Sequence, residues 1–177
     1  MRQLQLEELE RRNADEFKAI PKIPLIIALD NIRSGHNVGS VFRTADAFKM
    51  QGLILGGYTP IPPDPEIHKT ALGAQDVVEW THHTDLISAL KVLKKEGYIL
   101  LAAEQTDQST PLHKITLHKA EKYVLILGNE VRGVSAELLE ICDGAIEIPQ
   151  EGTKHSLNVS VAAGVIMWEF FKQLNSH

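Results

Sequence analysis

The sequence predicts a single α/β domain with a mainly parallel sheet flanked by helices. Two observations carry this. Short runs rich in Ile, Leu and Val alternate with segments of helical period along the chain, which is the pattern of βαβ units. The first such run, residues 24–29, is continuously apolar, as in a strand covered on both faces. The length of 177 residues suits one core.

Residues 2–13 read as a charged helix outside the main alternation, so a helical extension over 1–20 precedes one domain over 21–177. Strands are expected at 24–29, 53–55, 77–80, 98–103, 123–127 and 145–148. Helices are expected at 37–49, 85–96, 135–141 and 156–174. In the first of these, Val38, Val41, Phe42, Ala45 and Phe48 recur at helical spacing. The proline-rich stretch 59–65 can be neither helix nor central strand, because proline lacks the backbone donor, and it reads as an exposed loop. The last helix is apolar nearly all round, through Leu157, Val161, Val165, Ile166, Trp168, Phe170 and Phe171. Such a helix is buried on more than one side. One face suits the sheet and another suits a second subunit, which predicts a homodimer; a helix sandwiched inside the core is the alternative.

Composition excludes several classes. At 44% hydrophobic and 23% charged residues, the chain has enough apolar surface to fold rather than stay disordered. A lone cysteine, Cys142, allows no internal disulfide and no zinc cluster, and the eight histidines fall in no metal-ligand spacing. No metal is expected, and a reducing cytoplasm fits this usage. The charged N-terminus is no signal peptide. The longest apolar run, 159–171, is broken by Ser160, Gly164 and Glu169 and falls short of the roughly 20 residues that span a membrane. A net charge of −5 argues against a surface that binds polyanions all over but permits a local basic patch. Candidates are Arg11, Arg12, Arg33, Arg43, Lys69, Arg132 and Lys154.

Three loops concentrate polar residues and glycine where strands lead into helices, the position of ligand sites in parallel sheets. In the first, Asn37 is a candidate N-cap whose helix start favours an anion such as RNA phosphate. Gly39 leaves room for a ligand one turn before Arg43. A pairing of Arg43 with Asp46 at i+3 is the simpler reading of that arginine, and no Gly-x-Gly-x-x-Gly fingerprint occurs. The second loop, 127–135, carries Gly128, Glu130 and Gly133 directly after a strand. In the third, 148–160, Ser156 or Asn158 could cap the last helix. Capping alone does not explain Ser156, Asn158 and Ser160 alternating with Leu157, Val159 and Val161.

Together these loops resemble the three motifs of the SpoU–TrmH branch of the SPOUT RNA methyltransferases. Asn37-Val38-Gly39-Ser40-Val41-Phe42-Arg43-Thr44-Ala45-Asp46-Ala47-Phe48 is similar to the first. Leu127 to Gly133 is similar to the second, and Ile148 to Gly152 with Ser156 to Ala162 to the third. The resemblance covers roughly residues 24–172, and it departs from the family at Lys49, where glycine is common, and at Gln150, where methionine is common.

The resemblance implies a C-terminal trefoil knot, a homodimer, an RNA substrate and S-adenosyl-L-methionine as cofactor. It implies that Gly128, Ile148 and Leu157 contact the cofactor, with Ala103 as a further wall. Asn37, Arg43, Glu130, Ser156 and Asn158 match the polar active-site positions. The implied reaction is attack of a ribose 2′-hydroxyl on the cofactor's methyl carbon. Free arginine stays protonated far above neutral pH, so Arg43 is expected to bind a flanking phosphate and stabilise the forming alkoxide rather than act as base. Proton removal falls to that phosphate, to Glu130 or to water. Because a separate N-terminal RNA-binding domain of the rRNA-modifying kind is not seen, tRNA is favoured over rRNA. Two other readings are weaker. A non-catalytic RNA-binding protein on this fold would be expected to lose one of the five polar residues, and a dehydrogenase-like domain would carry the dinucleotide fingerprint.

Overall fold

The computed structural model describes residues 1–5, 8 and 12–175. Its sheet consists of β1 (Ile23–Asp30), β2 (Met50–Gly56), β3 (Trp80–His83), β4 (Tyr98–Ala103), β5 (Thr110–Pro111), β6 (Lys122–Leu127) and β7 (Gly144–Glu147). All strand pairs are parallel, in the order β3-β2-β1-β6-β4-β7-β5. Around it lie α1 (Ala14–Ala19), α2 (Gly35–Ala47), α3 (Pro65–Ala71), α4 (Leu86–Lys95), α5 (Ala136–Ile141) and α6 (Val159–Leu174).

The continuous apolar run does make β1 a strand buried on both faces. Leu25, Ile27 and Leu29 enter one core with α2 and α6, while Ile26 and Ala28 enter a second core with α4 and α5. That division follows from the alternation of side chains along a strand. Each such fully buried aliphatic side chain is worth about 1.5–3 kcal/mol.

Several expectations are corrected. The helix-start residue of α2 is Ser34, whose hydroxyl accepts from the Asn37 N–H, and not Asn37. The stretch 59–65 is only partly an exposed loop. Thr59 is buried, and its hydroxyl accepts from the Ile32 N–H at 3.0 Å. Asp64 caps α3, which begins at Pro65, a position where proline's fixed φ is favourable and its missing N–H costs nothing. Strand β3 lies three residues beyond the expected 77–80, because Val77 and Val78 leave a short 3-10 turn at Ala74–Asp76 and Val78 fills the core. The space beside Gly39 is taken by α3 rather than by a ligand: an added Cβ would stand 2.1 Å from Thr70 Oγ1 and 2.4 Å from Ile67 O. The helix expected over 2–13 falls partly on residues 6, 7 and 9–11, outside the described ones. The helix found near it is α1, opened by Asn13 and Glu16 in a reciprocal capping box.

Candidate active site

The carboxyl ends of β4, β6 and β7 open into a cavity of about 680 Å³, within the size range of small-molecule sites. Backbone packing builds its wall. A Cβ at Gly128 would stand 2.1 Å from both Gly133 C and Val134 N, so only glycine lets the 128–134 loop fold this tightly on itself. Gly133 adopts φ 68°, a conformation glycine takes without strain. The Glu104 carboxylate locks the loop by accepting from the Val134 N–H at 2.9 Å.

Of the residues singled out from sequence, Ala103, Gly128, Ile148 and Leu157 all line this cavity, as do Glu130, Ser156 and Asn158. Residues 149–158 are exposed throughout. Asn37 stands off the cavity wall but is bonded to it. Its amide Nδ2 donates to Glu130 Oε1 at 3.0 Å, and its Oδ1 accepts from Asn158 Nδ2 at 3.1 Å. The orientation of these amides is forced from both ends. Asn158 Oδ1 must face the N–H groups of Ser160 and Val161, which it caps at the start of α6. Glu130 can only accept. Three loops that are far apart in sequence therefore meet in one hydrogen-bonded line.

The N-termini of α2 and α6 converge at this line, and neither helix carries an acidic residue in its first turn. Their positive dipole ends leave the place suited to an anion. Burial pushes the Glu130 carboxyl up. Hydrogen bonds from its own N–H, from Arg33 N–H, from the Asn37 amide and from Ser34 N–H outweigh burial, and the net pKa lies below the usual carboxylate value.

Arg43 lies apart from this line, exposed on α2. It does not border the cavity, and among the described residues it forms no ion pair with Asp46. Burial raises the Asp46 carboxyl, against the opposing charge of Lys22. Arg33 and Arg132 flank Glu130 on the surface, while Arg12, Lys69 and Lys154 are exposed elsewhere; Arg11 is outside the described residues. No group of three His, Cys, Asp or Glu residues is placed to hold a metal among the described residues, and no described helix is long and apolar enough to cross a membrane.

Two residues of the site were missed by sequence reasoning. Glu104 has the weak signal of a carboxylate directly after a strand. Asn129, 9% exposed, donates to Asn31 O at 2.7 Å and Tyr58 Oη at 3.0 Å while accepting from the N–H groups of Val131 and Arg132. Its partners lie up to 98 residues away.

The chain is similar to proteins of one family. The family model described as the SpoU rRNA Methylase family matches residues 24–168. A 23S rRNA (guanosine-2′-O-)-methyltransferase of Nitrosomonas europaea is 32% identical over 159 residues, 90% of this chain and 60% of that protein. A tRNA (guanosine(18)-2′-O)-methyltransferase of Thermus thermophilus is 32% identical over 166 residues, 94% of this chain and 84% of that protein. The chain thus spans about 60% of the length of the rRNA-modifying relative. Among solved structures, the A. aeolicus TrmH/SpoU tRNA modifying enzyme superposes with a TM-score of 0.80 at 29% identity, covering 90% of this chain and 80% of that one. The AdoMet-bound rRNA methyltransferase of Sinorhizobium meliloti gives 0.80 at 27% identity, covering 90% and 61%. With its all-parallel sheet, its three motif loops at one sheet edge and a family match over most of its length, the chain belongs to the SpoU rRNA methylase family of SPOUT fold.

Proposed function

We propose that the chain is an S-adenosyl-L-methionine-dependent RNA ribose 2′-O-methyltransferase, a cytoplasmic homodimer whose C-terminal segment forms the family's knot. The observation that carries this reading is the Asn37–Glu130–Asn158 line at the rim of a glycine-built cavity. The cavity fits the cofactor. Gly128 and its loop border the cavity with backbone groups for a polar ligand, and Ile148 and Leu157 offer apolar surface for an adenine ring, with Ala103 beside them. When bound, S-adenosyl-L-methionine supplies a methyl group on a sulfonium that a nucleophile takes in one displacement.

The protein's part is to place a ribose hydroxyl and to favour the charge that forms on it. Asn37, oriented by Asn158, is one of the donors that favour the ionised form of Glu130, and Ser156 borders the same rim. Positioning of this kind can supply several kcal/mol of the barrier reduction. Arg43 lies six residues beyond Asn37 on α2, about 9 Å along the axis. From there its long side chain serves a phosphate flanking a ribose held at Asn37, and it stabilises the developing alkoxide. The lowered pKa keeps Glu130 ionised and able to accept, so the hydroxyl proton passes to Glu130, to that phosphate or to water.

The homodimer reading rests on α6. Val159, Ala163, Ile166, Met167, Phe170 and Leu174 are buried, whereas Val161, Val165 and Trp168 stand 51%, 40% and 51% exposed along one stripe of the same helix. A second subunit is its natural cover. Relatives named for rRNA and for tRNA are equally similar, at 32% each, and tRNA is the substrate class to test first.

The test is transfer from methyl-labelled cofactor to total RNA of the source organism, taken from cells lacking the gene. Label in a 2′-O-methylated nucleotide is expected. Absence of both label and S-adenosylhomocysteine binding would overturn the reading. Arg43→Ala should retain S-adenosylhomocysteine binding and lose turnover; normal turnover would remove Arg43 from the mechanism.

A further inference from the structure

The cavity occupies the β6, β4 and β7 portion of the carboxyl edge, and the portion over β1 and β2 is capped by the loops that follow those strands, through buried Ile32 and Thr59. There, two residues past the end of β2, stands Tyr58 with 63% of its surface exposed. Exposed side chains of this size usually settle on apolar neighbours or move freely, but Tyr58 is fixed at both ends. Its N–H donates to Asn31 Oδ1 at 3.2 Å, and its hydroxyl accepts from Asn129 Nδ2 at 3.0 Å. Both anchors are themselves constrained. Asn31 sits in the left-handed region at φ 53°, and its side chain fills the place where a Cβ on Gly57 would be, 2.0 Å from Oδ1. Asn129 is buried and directly precedes Glu130. The chain thus holds one exposed aromatic ring by its hydroxyl, on the residue that precedes Glu130.

We propose that the Tyr58 ring is a stacking platform for an unpaired base of the substrate RNA beside the target ribose, a substrate-binding role that rests on the RNA methyl-transfer reading above. RNA is recognised in sequence-specific fashion mostly through unstacked bases laid on aromatic rings. A ring held in advance loses little rotamer freedom when a base arrives. The neighbouring charge fits such a ligand: Arg33 is exposed on the same edge, and its N–H is bonded to Glu130 Oε2 at 3.2 Å. A strand crossing from Tyr58 towards Glu130 passes Arg33, which can take a phosphate.

The experiment compares Tyr58→Ala, Tyr58→Phe and Tyr58→Trp with the wild type at saturating cofactor, on small RNA from cells lacking the gene. Tyr58→Ala should raise KM for RNA by about tenfold to a hundredfold, the range of one lost stacking contact. Its kcat, its S-adenosylhomocysteine affinity and its Tm should stay near wild type. Trp should restore KM, and Phe should recover most of it. Irradiation with a 4-thiouridine-substituted tRNA transcript should place a crosslink at Tyr58. An unchanged KM in Tyr58→Ala overturns the proposal, as does a KM increase accompanied by equal losses in cofactor affinity and Tm, which is the mark of a structural role. If the wild type transfers no methyl group, filter binding of the same RNA decides: weaker binding by Tyr58→Ala supports stacking while the methyl-transfer reading falls, and equal or absent binding overturns stacking too.

Discussion

Replacing Gly128 by alanine tests whether the cavity wall is set by backbone packing. The new Cβ would lie 2.1 Å from Gly133 C and Val134 N and 2.3 Å from Gly133 O. The facing peptide must retreat by about 1.3 Å to restore the 3.4 Å of ordinary contact, and because it is backbone it cannot swing away as a side-chain end does. Two hydrogen bonds hold that peptide: Val134 N–H to the Glu104 carboxylate at 2.9 Å and Gly133 N–H to Asn129 O at 2.8 Å. Bonds of these types contribute about 1.5–3 and about 1 kcal/mol respectively. Water reaches this loop and recovers part of the loss, so about 2 kcal/mol of cavity integrity should disappear. That corresponds to about 30-fold weaker S-adenosylhomocysteine binding. Isothermal titration would measure it beside Gly152→Ala, where an added Cβ meets nothing within 4 Å and affinity should be unchanged. Binding by Gly128→Ala within about threefold of wild type would show that the tight loop does not shape the site.

Three further outcomes are expected. Glu130 has a folded pKa below its ordinary value, so its contribution to stability is present above about pH 4.5 and is lost as pH falls through the folded pKa. Urea midpoints of wild type and Glu130→Gln should therefore differ at pH 7 and converge as pH falls through the folded pKa; a constant gap would contradict the assignment. Lys49 holds φ 47°, and Lys49→Gly should relieve the left-handed strain for a net gain of about 0.5–1 kcal/mol after the entropy of glycine in the unfolded chain is counted. A lowered Tm would refute that. Val165→Asp, on the exposed stripe of α6, should yield a folded monomer by light scattering, and a dimer that persists in this variant would place the interface elsewhere.

Much of the sheet was legible because its cues are local. The apolar runs at 24–29, 98–103 and 123–127 fall inside β1, β4 and β6, and the loops that follow the strands do gather at one sheet edge. What escaped depends on distance or on a competing rule. Proline in 59–65 suggested a loop, yet Pro65 at the first position of α3 obeys the same φ restriction that forbids it further in. Ser34 and Asn37 are both good caps three residues apart; Asn37 is drawn off by Glu130, 93 residues away, a bond no local pattern reveals. Gly39 looked like room for a ligand and serves helix packing instead. The glycine that the family often places at Lys49 has a physical reason in the left-handed backbone there. The four cavity-lining positions proposed for the cofactor are legible only through motif resemblance, since nothing in composition separates Ile148 or Leu157 from other apolar residues. Glu104 lies outside every motif, and Asn129 lies inside the second one but was not singled out from it.

The line from Asn158 through Asn37 to Glu130 has a chemical polarity. Every link is a carboxamide N–H donating to an oxygen, and the capping bonds at Asn158 fix that direction. Carboxamides neither take up nor release protons near neutral pH, so no Grotthuss-type hop can run along it. The array is an insulator for protons and a conductor only of alignment: it hands orientation from the first turn of α6 to a carboxylate on a different loop. The proton of a hydroxyl attacking at this rim therefore cannot be relayed inward along the asparagines, and it goes to the Glu130 carboxylate at the end of the line, to the RNA or to solvent.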